Sequence, residues 1–174
     1  LYFVSHSDPR LVEAVRRGRQ QEFQAFAWLG EPPDPQAEAT FQRCKLDHTL
    51  RQGGHHRVLL DWYRELLRLR REVPALSTPS KDDLEAMAYN RYKTLAIRRW
   101  SGPSQALLLF NFGDAPSQVT LSLPEGSWHR RLSSSDERWQ GEGSAIPEQI
   151  VPKGEVVLSL APKAFALYEK LSGA

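Results

Sequence analysis

The sequence predicts an α+β protein, with a helical and irregular stretch over residues 1–83 followed by an all-β antiparallel sandwich over residues 84–174. Three observations predict it. In the stretch His55–Leu76 the apolar residues Leu59, Trp62, Leu66, Leu69 and Val73 recur every three or four positions, the spacing that lines one face of a helix. After Pro74 the apolar period falls to two, the period of a strand. The second half then holds about seven short strand-like runs separated by Gly, Pro and Ser, the pattern of a sandwich.

The elements follow in order. Residues 1–7 are extended or loop. Asp8 supplies an N-cap oxygen and Pro9 the first helical position, so a helix starts there and runs to about Ala27. Leu11, Val12, Val15, Phe23 and Phe26 mark its apolar face, and Gly18 weakens it by about 1 kcal/mol relative to Ala. Gly30 to Pro35 is a proline-rich loop, and a short helical turn around Ala39–Leu46 follows, anchored by Phe41 and Leu46. Thr49–Gly54 is a polar linker to the long helix. Pro74 stops that helix, because the ring removes a donor and disfavours helical geometry at Val73. Burying its five apolar side chains is worth roughly 1.5–3 kcal/mol each, so it must dock on something large. Its other face carries Arg57, Asp61, Arg64, Glu65, Arg68 and Glu72 and is expected to be solvated.

Ser77–Asp83 is polar and turn-rich, the expected boundary between the two parts. Thr94–Trp100 reads as a strand with Leu95 and Ile97 inward and Thr94 and Arg98 outward. Ala106–Phe112 is apolar except at Asn111, which fits a central strand buried on both faces. Val119, Leu121 and Leu123 alternate with polar residues, a strand with one wet face. Pro124-Glu125-Gly126 is turn chemistry leading into a Trp128–Leu132 strand. Ser133–Gly143 is loop; Val156–Leu160 and Ala164–Leu171 are the closing strands.

Composition excludes several functions. Residues 1–83 hold 13 basic and 12 acidic side chains and residues 84–174 hold 10 and 9, so neither half offers a nucleic acid a one-signed surface. Acidic residues interleave with the arginines at 16–19 and 64–71, which makes those clusters solvated helix faces. No apolar run is long enough to span a bilayer, and no signal peptide opens the sequence. A single cysteine, Cys44, forms no internal disulfide, which points to a reducing, cytoplasmic setting. With Met87 the sole methionine and an apolar Leu1-Tyr2-Phe3-Val4 start, the chain reads as the C-terminal part of something longer.

Catalytic chemistry finds little foothold. Cys44, His48, His55 and His56 match no strong zinc spacing, so no metal is expected. There is no nucleophile elbow and no glycine-rich phosphate loop. Ser5-His6-Ser7-Asp8 is too compact for a triad, whose members approach from separate elements. The carboxylates sit on helix faces, caps and loops without an inward-facing pair, so no catalytic residue is expected here and no cofactor is implied. Trp100, Trp128 and Trp139 could each stack on a sugar ring, but Trp128 alternates as a core residue would. Trp139, in a polar loop, is the better platform for a sugar ring, with capping of the core as the competing role.

Phe41-Gln42-Arg43-Cys44-Lys45-Leu46-Asp47, followed by His56-Arg57, Leu59-Leu60, Tyr63-Arg64, Leu66 and Leu69-Arg70, resembles the end of the catalytic barrel in maltooligosyltrehalose trehalohydrolases, relatives of the α-amylases. Tyr2 to Pro9, with Leu11-Val12, Ala14-Val15-Arg16, Gly18-Arg19, Glu22-Phe23 and Phe26, resembles the segment those enzymes carry after the eighth barrel strand. Leu160-Ala161-Pro162 and Ala164 to Glu169 resemble the last strands of their C-terminal sandwich.

The resemblance implies that residues 1–83 are the helical tail of a (β/α)8 barrel and residues 84–174 its C-terminal sandwich. It implies a glycoside hydrolase of trehalose biosynthesis that cleaves the α-1,4 bond beside a terminal trehalose unit. Such enzymes place an aspartate nucleophile and a glutamic acid donor at the barrel mouth, on earlier strand ends with no counterpart here. The expected partners are a maltooligosaccharide-type substrate, met through the missing barrel, and the rest of the chain's own catalytic domain. Loops after barrel strands line the active-site face, so Tyr2, Phe3 and His6 are the candidates for contact with substrate. Lys45 and Asp47 come next, with an ion pair or cap within the loop as their alternative role. A non-catalytic carbohydrate-binding or interaction sandwich is the competing reading of the whole chain.

Overall fold

The computed structural model describes residues 1–26 and 30–171. Contacts group the chain into two units, Leu1–Leu50 and Arg51–Ala174.

In the first unit helix α1 spans Pro9–Ala25, capped by the Asp8 carboxylate, which accepts from the Arg10 amide at 2.8 Å. The expected end at Ala27 lies outside the described residues. Val12, Val15 and Phe23 are half-buried, whereas Leu11 and Phe26 are exposed, so the apolar face is narrower than the spacing implies. Helix α2 spans Glu38–Cys44. Phe41 is an anchor as expected, its ring 5.0 Å from that of Phe3. Leu46 is not: it lies beyond the end of α2 and is 80% exposed. A 3-10 turn, His48–Gln52, carries the chain across the division.

The second unit opens with helix α3, Gly54–Glu72. Val73 takes the extended geometry imposed by the following proline. Pro74 does more than stop α3: it occupies the first position of a further short helix, α4, Pro74–Ser77. Eight strands follow: β1 (Leu84–Tyr89), β2 (Thr94–Ser101), β3 (Ser104–Asn111), β4 (Ser117–Ser122), β5 (Trp128–Ser133), β6 (Gln149–Ile150), β7 (Glu155–Leu160) and β8 (Phe165–Lys170). Six form a sheet in the order β1-β2-β3-β8-β5-β6, and β4 pairs with β7 in a second, smaller sheet. All pairings are antiparallel. The sandwich expected for this half is therefore present, with β1 and β6 as strands the periodicity did not single out.

The middle of the large sheet is buried on both faces. On the inner face Leu107 and Leu109 of β3, Ala166 and Tyr168 of β8 and Trp128 of β5 pack with Val119, Leu121, Leu158 and Leu160 from the small sheet. On the outer face Ala106, Leu132 and Leu167 pack with Leu69, Val73 and Ala75, and Trp62 and Leu66 add to the same cluster. Helix α3 is thus the lid of the sheet's second face, which is why β3 is apolar at consecutive positions. Leu59 is the exception among the five residues expected to be buried, at 42% exposed.

Strand β2 reverses the expected facing. Thr94 and Ala96, opposite Asn111 and Leu109, point into the sandwich, and Leu95 and Ile97 lie on the α3 side. Buried Thr94 is satisfied there by donating to the Ser117 hydroxyl at 2.9 Å or to the Tyr92 carbonyl at 3.0 Å.

Candidate functional site

The five residues singled out for substrate contact all lie in the first unit, and the structure gathers them only in part. Phe3 and Lys45 meet through Phe41: the two phenyl rings are 5.0 Å apart, and the Lys45 ammonium lies 4.6 Å from the Phe41 centroid. Tyr2 belongs to a different grouping, where the Arg19 guanidinium stands 4.9 Å from the centroids of both Tyr2 and Phe23 and pairs with Glu22. His6 is half-buried; its amide donates to Gln36 Oε1 at 3.2 Å, and its ring has no hydrogen-bond partner among the described residues. Asp47 takes the capping role: its Oδ1 accepts from the Thr49 amide at 2.9 Å and the Thr49 hydroxyl at 2.6 Å, starting the 3-10 turn.

What positions this segment is a residue outside the five candidates. Asp34, in the proline-rich loop, accepts from Arg16 Nε at 3.0 Å, Arg16 Nη2 at 2.7 Å and the Gln36 amide at 3.0 Å. The bidentate arginine, aided by the Gln36 amide, holds the Asp34 carboxyl below the usual carboxylate range. Next to it the Pro35 carbonyl accepts from the Val4 amide at 2.9 Å. The loop therefore fixes residues 4–6 through the Val4 and His6 amides, leaving the His6 ring unengaged, while the Phe3 ring packs on Phe41. The legible signal was an aspartate before a proline and two residues ahead of a glutamine, a turn-forming arrangement.

Chemically this is a positioning segment. Among the described residues no three His, Cys, Asp or Glu side chains gather as a metal site would require. The tryptophan proposed as a sugar platform is engaged elsewhere. Trp139 sets its ring edge-on to Trp62 at 5.1 Å, and Trp62 is in turn edge-on to Phe165 at 6.3 Å. Trp139 therefore caps the outer-face cluster, with Arg138 4.7 Å from its centroid. Trp128 is fully buried and donates from Nε1 to the Pro124 carbonyl at 3.1 Å.

Comparison with known proteins gives partial homologues of one name. The chain is 39% identical over 151 residues to the malto-oligosyltrehalose trehalohydrolase of Deinococcus radiodurans, covering 83% of this chain and 25% of that protein. It is 43% identical over 134 residues to the enzyme of the same name from Brevibacterium helvolum, covering 72% and 22%. Over most of its length the chain is similar to malto-oligosyltrehalose trehalohydrolases. It spans about a quarter of the length of the trehalohydrolases it matches. Within it, residues 91–166 match a family described as a domain of unknown function, DUF3459. Among solved structures it is similar to a provisionally named alpha-amylase from Salmonella typhimurium, at 26% identity and a TM-score of 0.63, over 98% of this chain and 25% of that one. The trehalohydrolase likeness thus takes in both the segment before α3 and the sandwich. No helix among the described residues is long and apolar enough to cross a membrane.

Proposed function

We propose that this chain is the C-terminal part of a malto-oligosyltrehalose trehalohydrolase, a cytoplasmic glycoside hydrolase of trehalose biosynthesis. The whole enzyme cleaves the α-1,4 bond next to the terminal trehalose of maltooligosyltrehalose and releases trehalose. The catalytic carboxylates lie in the portion outside this chain, so residues 1–174 alone turn over nothing. The observation that carries this reading is the 39% identity over 83% of the chain to an enzyme of that name.

Residues 1–83 are then the end of a (β/α)8 barrel and residues 84–174 its sandwich. The exposed stripe of α3 supports this. Leu59, Tyr63 and Leu67, four residues apart, are 42%, 59% and 51% exposed, on a helix whose other face already packs on the sheet. A helix apolar on two sides is built to lie between two layers, and the second layer here is the remainder of the catalytic domain. Tyr2, Phe3 and His6 flank the substrate on the barrel's mouth, and Lys45 and Asp47 brace the loop beside them. The unengaged imidazole of His6 suits a sugar hydroxyl.

The test is trehalose release from maltooligosyltrehalose by the complete gene product. His6→Ala in that protein is expected to lower kcat/KM by about tenfold, roughly 1.4 kcal/mol. Full activity in that variant would remove His6 from the site. A complete protein that releases no trehalose would overturn the reading itself.

A further inference from the structure

A groove runs between α3 and the outer face of the large sheet, lined by Leu66, Leu69, Leu76, Leu108, Phe165 and Leu167, with Arg70 and Arg99 at its sides. Its volume is about 290 Å³, at the lower edge of the range of small-molecule pockets and large enough for one or two side chains. No carboxylate lines it. Every arginine of α3 other than Arg70 and Arg71 has an acidic partner on that helix: Arg57 and Arg64 bond Asp61, and Arg68 bonds Glu65 and Glu72. Neither Arg70 nor Arg99 has an ion-pair partner among the described residues, and the Nε of Arg99 is buried without a hydrogen-bond acceptor. A buried guanidinium nitrogen left without an acceptor carries a desolvation cost that an incoming oxygen would remove.

Building on the reading above, we infer that this groove is the socket for an acidic segment of the same polypeptide outside residues 1–174, one that inserts an apolar side chain beside Leu108 and Phe165 and sets an Asp or Glu carboxylate on Arg99 and Arg70. Charge complementarity selects the carboxylate, and the lining selects its apolar neighbour. The relatives are about four times as long as the part matched here, so the same polypeptide is the nearest source of such a segment.

The test uses the complete gene product. Arg99→Lys places an amine in the groove, and zero-length carbodiimide coupling is expected to join it to an Asp or Glu outside residues 1–174, located by mass spectrometry. In parallel, hydrogen exchange of peptides covering residues 66–76 and 165–167 is expected to rise at least tenfold in Arg99→Glu and to stay near wild type in Arg99→Lys. Arg70→Glu, on the helix surface, gives the same readout if Arg99→Glu does not fold. Coupling only within residues 1–174, coupling to a second copy, or exchange indifferent to charge reversal overturns the proposal. Trehalose release is read separately on the same preparations. A coupled, protected groove in a protein without that activity keeps the socket and removes the functional reading; activity with an uncoupled groove does the reverse.

Discussion

Asp34 shows how much one carboxylate can organise. It joins α1 to the loop that holds residues 4–6, through Arg16 and the Gln36 amide. Because its folded pKa is depressed below the ordinary 3.8, its contribution to stability is complete above that value and is lost as pH falls through the lower one. A carboxyl-carbon NMR titration is expected to place Asp34 below 3.8, and Asp34→Asn is expected to remove that acid-dependent step; a midpoint at or above 3.8 would refute the tie. Gly141 is a second position where one atom decides. A Cβ there would lie 2.4 Å from the Ser135 carbonyl oxygen and carbon. The turn is closed by the Gly141 amide on Asp136 and the Gly143 amide on Ser135, and it carries Trp139. Gly141→Ala is therefore expected to lower stability by about 1–3 kcal/mol in urea unfolding. A neutral result would show that Ser135 can move aside.

At the level of elements, α3 divides into two faces with different predicted sensitivities. Leu69 is buried against the sheet, so Leu69→Ala is expected to cost about 2–5 kcal/mol in chemical denaturation of this chain. Leu67→Lys, on the exposed stripe, is expected to change the same measurement by less than about 0.5 kcal/mol, and to destabilise the complete polypeptide by more. Equal effects in both would argue against a second layer. The helix was legible because its period is strong over five turns, and β3 because continuous apolarity admits few other readings. Strand β2 was misread: Thr94 looks polar in sequence, yet Ser117 across the sandwich satisfies its hydroxyl, and only tertiary structure supplies that partner. Strand β1 hid because it is an edge strand that is exposed along most of its length, and β6 because two residues carry no period. The candidate site was legible as a segment and not as a constellation, since the Asp34 hub depends on an arginine eighteen residues away.

For the whole molecule, the proposed function makes the sandwich a scaffold. If it were instead a carbohydrate-binding module, maltooligosaccharide would perturb tryptophan emission saturably. No such change is expected, because Trp128 is sealed, Trp139 is spent against Trp62 and the half-buried Trp100 carries the Arg98 guanidinium 4.7 Å from its centroid.

The two-sided burial of the middle of the large sheet governs where the polypeptide can be trimmed. A gene shortened to begin at codon 84 would strip α3 and α4 away and leave Leu108, Phe165 and Leu167 as a bare, sticky wall. That product should collect in inclusion bodies, whereas one beginning at Arg51 retains its own cover and should stay in the supernatant.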